Sequence, residues 1–239
     1  MTSEADRILR YGDHADQWVE LWSPSGESRG TVVLIHGGYW RAPFTAALMR
    51  PLVPDFLERG WTVANMEYRR GLEGWNATSE DLATAMATAR SASPNESLVV
   101  IGHSVGGQLA LVAASETDVV VALAPVTDLT RGFREGIGDG AVAEFFHTSP
   151  EETPHLYDEA SPFDRDPPRG GVLVIHGSDD VRVPIEHTRD YVARARAAGV
   201  SLDFLELPHL SHLDVIAPTA AHWPHVHSWL DQRLVGLSA

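Results

Sequence analysis

One serine in this sequence sits where a nucleophile would. Gly102-His103-Ser104-Val105-Gly106 fits the pattern G-x-S-x-G, with the apolar run Leu98-Val99-Val100-Ile101 before it and the helical Gln108-Leu109-Ala110-Leu111 after it. A serine on a sharp strand-to-helix turn needs glycine two residues to either side, where a Cβ would clash. The chemistry is attack on a carbonyl carbon. It requires a base to take the serine proton, a carboxylate to orient that base, and N–H donors for the developing oxyanion. Three further stretches offer these parts. His36-Gly37-Gly38-Tyr39-Trp40 follows the apolar run ending at Ile35, and its glycines allow a close backbone approach. His176-Gly177-Ser178-Asp179-Asp180-Val181-Arg182-Val183-Pro184 follows another such run and carries two candidate carboxylates, Asp179 and Asp180. Leu207-Pro208-His209-Leu210-Ser211-His212-Leu213-Asp214 carries two candidate bases, His209 and His212.

These stretches need a scaffold that delivers them to one place. Thr31-Val32-Val33-Leu34-Ile35 is a continuous β-branched run, as expected of a strand buried on both faces. Similar runs lie at 61–68, 97–102, 118–124, 171–175 and 200–207. Helical segments are predicted between them, over 45–59, 79–92, 105–115, 185–198 and 218–235. Gly60 and Gly199 stand at the C-cap positions of two of these. Thr78 with Asp81, and Ser149 with Glu152, read as capped helix starts. Residues 15–23 read as an antiparallel edge strand. The alternation predicts right-handed βαβ units and a mostly parallel central sheet with helices on both faces. No linker divides residues 1–239, so one domain is expected. Residues 125–168, rich in Gly and Pro, interrupt the alternation and are expected to form a small cap insertion over the site.

Composition excludes several alternatives. With 33 acidic and 18 basic residues the formal net charge is −15, which repels nucleic-acid phosphates and anionic membrane surfaces. There is no cysteine, so thiolate chemistry and disulfides are impossible. The polar start Met1-Thr2-Ser3-Glu4 lacks the form of a signal peptide, and no apolar stretch is long enough to span a bilayer. A cytoplasmic monomer or homodimer is expected. His222, His225 and His227 fall on different sides of a helix, interrupted by Pro224, and are expected to be surface or helix-end residues rather than metal ligands.

The combination of H-G-G-Y-W, G-H-S-x-G-G, Glu67-Tyr68-Arg69 and H-G-x-x-D resembles the α/β-hydrolases, in particular their kynurenine formamidase-like and carboxylesterase-like branch, over about residues 15–235. The resemblance implies the α/β-hydrolase fold, with the 36–40 loop as its oxyanion loop. The donors would then be the N–H groups of Val105, Gly38 and Tyr39. Its spacing H-G-x-x-D-x-x-V-P selects Asp180 over Asp179. The ending His212-Leu213-Asp214-Val215-Ile216 resembles the family's H-F-D-L-I and selects His212 over His209.

The expected function is hydrolysis of small esters or aryl amides through an acyl-enzyme on Ser104, with His212 as base and Asp180 orienting it, needing neither cofactor nor metal. Tyr39, Trp40 and Trp75 would offer flat apolar surface to the substrate. On the resemblance, an N-formyl aryl amide such as N-formylkynurenine suits that surface. Competing expectations are an acyltransferase or peptidase on the same fold, and a non-catalytic small-molecule binder. A peptidase of this branch normally carries a further domain, for which 239 residues leave no room.

Overall fold

A computed structural model describes residues 4–93 and 97–235. The first three residues, part of the polar N-terminal stretch, lie outside it. Eight strands form one sheet: β1 (Arg7–Arg10), β2 (Trp18–Trp22), β3 (Thr31–Ile35), β4 (Thr62–Met66), β5 (Val99–His103), β6 (Val119–Leu123), β7 (Val172–Gly177) and β8 (Asp203–Leu207). The helices are α1 (Val53–Glu58), α2 (Gly74–Ser91), α3 (Val105–Ala113), α4 (Leu129–Glu135), α5 (Ile137–Phe146), α6 (Pro154–Ala160), α7 (Ile185–Ala197) and α8 (Trp223–Val235). Strand order is β1-β2-β4-β3-β5-β6-β7-β8. Strands β3 to β8 are mutually parallel, and β1 and β2 are antiparallel. This is the α/β-hydrolase fold.

Period-two alternation explains the two cores. Val33, Ile35, Val100 and Val120 point to one face, where they meet Leu109, Tyr68 and Trp75. Val32, Leu34, Ile101 and Val121 point to the other, against Phe56, Trp223 and Leu230. Because both sets are apolar, the inner strands have no polar face, and helices must cover both sides. The chain runs from β3 outward to β4, then returns to lay β5 on the other side of β3. That reversal opens a crevice between the C-terminal ends of β3 and β5, the place where open α/β sheets bind ligands. The loop after β3 and the turn into α3 both empty into it.

Several boundaries differ from expectation. Residues 15–23 do supply an antiparallel strand, but β1 lies outside it and forms the sheet edge. The 45–59 segment is broken into two 3-10 turns, Ala46–Leu48 and Arg50–Leu52, and the short α1. Pro51 and Pro54 each withhold an N–H and restrict the residue before them. Helix α2 begins at Gly74, so Thr78 is inside it. Its hydroxyl donates to the Arg69 and Gly74 carbonyls instead of capping. Ser149 and Glu152 do exchange capping hydrogen bonds, yet they close a turn, and α6 starts later, at Pro154. Gly60 and Gly199 adopt φ of +81° and +78°, as C-cap residues do. Residues 125–168 carry α4, α5 and α6 between β6 and β7. Among the described residues no helix is long and apolar enough to cross a membrane.

Candidate active site

Ser104 stands between β5 and α3 with φ 57° and ψ −119°, a conformation that a residue with a Cβ rarely adopts. Its neighbours over-determine it. The Ser104 N–H donates to the Leu123 carbonyl at 2.8 Å, and its carbonyl accepts from the N–H groups of Gly107 at 3.0 Å and Gln108 at 3.1 Å. A Cβ on Gly102 would collide with the Gly106 carbonyl, and one on Gly106 with the Ile35 carbonyl. The turn therefore closes only with glycine at both places. Strain of this kind costs about 1–3 kcal/mol and collects at functional sites.

Asp180 and His212 meet beside it. His212 Nδ1 donates to Asp180 Oδ2 at 2.6 Å, leaving Nε2 unprotonated for a proton from outside the pair. The second carboxylate oxygen accepts from the backbone N–H groups of Arg182 at 2.8 Å and Val183 at 2.9 Å. Burial alone would raise the Asp180 carboxyl. The hydrogen bonds from His176 and His212, with Val183 behind them, overcome it and hold the group well below its ordinary value. Asp179 and His209 form a separate, looser pair at 3.4 Å whose side chains are 54% and 89% exposed. Among the described residues no hydrogen bond joins Ser104 Oγ to His212. Such bonds are commonly long without substrate and tighten in the complex.

Two histidines that the sequence presented only as motif letters support this pair. His176 Nε2 lies 3.1 Å from Asp180 Oδ2 and 3.0 Å from the Val183 carbonyl, so it carries the proton, while Nδ1 accepts from the Thr188 hydroxyl at 2.8 Å. His103 Nε2 donates to the His212 carbonyl at 2.9 Å, and the two rings sit 4.7 Å apart. Burial, aided by the neighbouring His212, pushes His103 down to about 3, so its ring is neutral. The segment from His209 to His212 is thus pinned from beneath. Nothing in the local sequence marks these roles, because the His103 contact spans 109 residues.

The loop after β3 carries two of the three N–H groups expected to act as donors. Gly38, Tyr39 and Trp40 have φ of +121°, +58° and +54°, and the N–H groups of Gly38 and Tyr39 find no protein acceptor among the described residues. Val105 opens α3, where first-turn N–H groups lack intrahelical partners and the helix dipole favours negative charge. The two aromatic rings part company. Tyr39 lines an open cavity of about 400 Å³ with Ile137, Gly138, Asp139, Val181 and Arg182. Trp40 is only 2% exposed and stacks on Phe145 at 5.1 Å. Trp75 is likewise buried and donates to Glu159 at 3.2 Å.

Of the three C-terminal histidines, His225 is exposed as expected and the other two are not. His222 and His227 are buried, not superficial: His222 Nε2 donates to the Val215 carbonyl at 3.0 Å, and His227 Nε2 lies 2.6 Å from Asp55. Among the described residues no group of three His, Asp or Glu is arranged to hold a metal ion.

Known proteins share this fold. The structure matches a carbohydrate esterase from gut microbiota with a TM-score of 0.80 at 17% identity, covering 95% of this chain and 94% of that one. The chain is 25% identical over 256 residues to esterase LipC of Mycobacterium tuberculosis, covering 93% of this chain and 63% of LipC. It is 26% identical over 235 residues to esterase LipQ of the same organism, covering 85% of this chain and 55% of LipQ. The chain thus spans about six tenths of the length of these curated relatives. The prolyl oligopeptidase family matches residues 75–234, a stretch that contains Ser104, Asp180 and His212, and the chain belongs to that family.

Proposed function

We propose that the protein is a serine hydrolase that cleaves small esters through an acyl-enzyme on Ser104. The observation that carries this reading is the buried His212–Asp180 pair, bonded through the His212 carbonyl to His103, the residue directly before the strained Ser104. His212 takes the Ser104 proton, the oxygen attacks the carbonyl carbon, and Val105, Gly38 and Tyr39 receive the oxyanion. The imidazolium then protonates the leaving group, and water repeats the sequence to release the acid. Both curated relatives are named esterases, which favours ester over peptide substrates. The finer reading is an aryl substrate, up to an N-formyl aryl amide. It rests on the H-G-G-Y-W resemblance and on the half-buried Tyr39 ring in the loop after β3.

A fluorophosphonate probe and a set of aryl esters test it. Wild type should be labelled and turn over phenyl acetate. Ser104→Ala should lose both, with a fall on the order of 10⁶ in kcat, as for the triad serine of subtilisin. An unlabelled wild type, or a Ser104→Ala variant that retains turnover, would overturn the assignment. Comparing N-formylkynurenine with phenyl acetate decides between formamidase and plain carboxylesterase.

A further inference from the structure

The loop that carries the oxyanion donors is held in a conformation it would not keep alone. Gly38, Tyr39 and Trp40 are three consecutive residues at positive φ, two of them with side chains. Non-glycine residues persist there only where their surroundings over-determine them. Helix α5 holds one side, through Trp40 stacked on Phe145 and Arg41 paired with Glu144, and one short segment after β4 ties the two ends of the loop and its middle. The Tyr68 hydroxyl donates to the His36 carbonyl at 2.8 Å, and the two rings stack at 4.5 Å. Glu67 Oε1 meets His36 Nε2 at 2.8 Å, and Glu67 Oε2 accepts from the Ala46 N–H at 2.9 Å. Arg70 completes the bracket. Its guanidinium donates to Glu67 Oε1 at 2.6 Å, to the Ala42 carbonyl at 3.1 Å and to the Arg41 carbonyl at 3.4 Å. Thus the start, middle and end of the 36–46 loop are each tied to residues 67–70.

The chemistry of this bracket is costly. Glu67, Tyr68 and Arg70 are all at least 95% buried, and a buried charge must be fully hydrogen-bonded to be tolerated. Burial would raise the Glu67 carboxyl, but the bond from His36, the charge of Arg70 and the Ala46 N–H together hold it below its ordinary value, so it is ionised. An apolar trio could fill the same volume, but it could not fix carbonyls and an N–H at three separate points. Directional bonds can. Gly37 shows how tight the result is: a Cβ there would lie 2.6 Å from the His103 carbonyl and 2.9 Å from Ser104 Cβ.

We propose that Glu67, Tyr68 and Arg70 are positioning residues that clamp the 36–46 loop and hold its N–H donors where the oxyanion develops. This rests on the hydrolase reading above. The clamp touches no substrate. It acts by sparing the reaction the cost of ordering the donors at the transition state, so its loss should appear in kcat and leave ground-state binding alone.

The test compares Tyr68→Phe and Glu67→Gln with wild type on phenyl acetate, with phenylboronic acid as the tetrahedral analogue. Tyr68→Phe keeps the ring stack and removes one bond to the loop. Glu67→Gln turns an acceptor facing the Ala46 N–H into a donor. Losing a whole oxyanion donor costs about 10²–10³ in kcat, so displacing the loop should cost less: roughly fivefold to tenfold for Tyr68→Phe and up to about 100-fold for Glu67→Gln. KM should stay within about twofold, and boronate affinity should fall in step with kcat. Asp118→Asn serves as control. It breaks the ion pair between buried Asp118 and half-buried Arg90, remote from the site, and should lower the melting temperature without changing kcat. If Tyr68→Phe and Glu67→Gln behave like Asp118→Asn, the bracket is ordinary scaffolding and the proposal falls. If wild type itself is not labelled by fluorophosphonate, the hydrolase reading falls first and the clamp's catalytic role with it. Should Glu67→Gln fail to fold, Tyr68→Phe alone decides the matter.

Discussion

At the scale of single residues the structure separates two acid–histidine pairs that the sequence leaves adjacent. Asp180 and His212 are buried, and the Asp180 carboxylate has all of its acceptor positions engaged by four donors, two of them backbone N–H groups. Asp179 and His209 are an exposed pair, whose attraction is screened by solvent. The two pairs should therefore answer substitution very differently. His212→Ala should abolish turnover of phenyl acetate, while His209→Ala should retain most of it. Asp180→Asn should cost about 10⁴ in kcat, the loss the same exchange gives in a chymotrypsin-type triad, because an amide cannot hold Nδ1 protonated. Asp179→Asn should change kcat by less than about threefold. Steady-state kinetics on the four variants checks this, and a reversed order in either pair would reassign the base or its partner.

At the scale of elements, the loop after β3 and helix α5 meet through aromatic rings, and this divides the roles of Tyr39 and Trp40. Trp40 stacks on Phe145, and Phe146 continues the cluster to Trp75 and Tyr157. Trp40→Ala should lower stability by about 3–5 kcal/mol, the usual cost of truncating a core aromatic, and a thermal melt would show it. Tyr39→Ala should barely move the melt. It should instead erode the preference for phenyl over ethyl acetate by a few-fold, since an aromatic contact adds roughly 0.5–1.5 kcal/mol. Unchanged selectivity in Tyr39→Ala would remove the aryl-substrate reading and leave a general esterase. The strands and their order of motifs were legible because β-branched runs buried on both faces carry a strong local signal. Strand β1 was not, since Arg7-Ile8-Leu9-Arg10 is short, flanked by charge and has Ile8 62% exposed. The break in the 45–59 segment was foreshadowed by two prolines, whereas its tie to Glu67 was invisible, because that contact spans 21 residues and exists only once β4 lies beside β3.

At the scale of the whole molecule, stability should fall on acidification, and the sign can be worked out from buried histidine. His103 is buried and held down to about 3, whereas in the unfolded chain it titrates near 6.5. Between those values the unfolded chain binds a proton that the folded protein refuses. The contribution is therefore fully present above about pH 6.5 and is lost as pH falls toward 3, at about 1.4 kcal/mol for each unit crossed. His222 and His227 are also lowered chiefly by burial and act with the same sign. An opposing effect exists: the net charge of −15 shrinks toward the pI of about 5.1, which relieves repulsion among surface carboxylates. Those charges are largely solvated and screened beyond about 8–10 Å, so relief is small beside the cost of charging a buried ring. Comparing wild type with His103→Gln cancels the surface effect, since both share it. Glutamine can still donate to the His212 carbonyl but has no proton to gain. The wild type should be the more stable at pH 7, and its advantage in melting temperature should shrink steadily between pH 6.5 and pH 4. A gap that stays constant over that range would mean His103 is protonated in the folded protein, and its bond to the His212 carbonyl would then be a charged one.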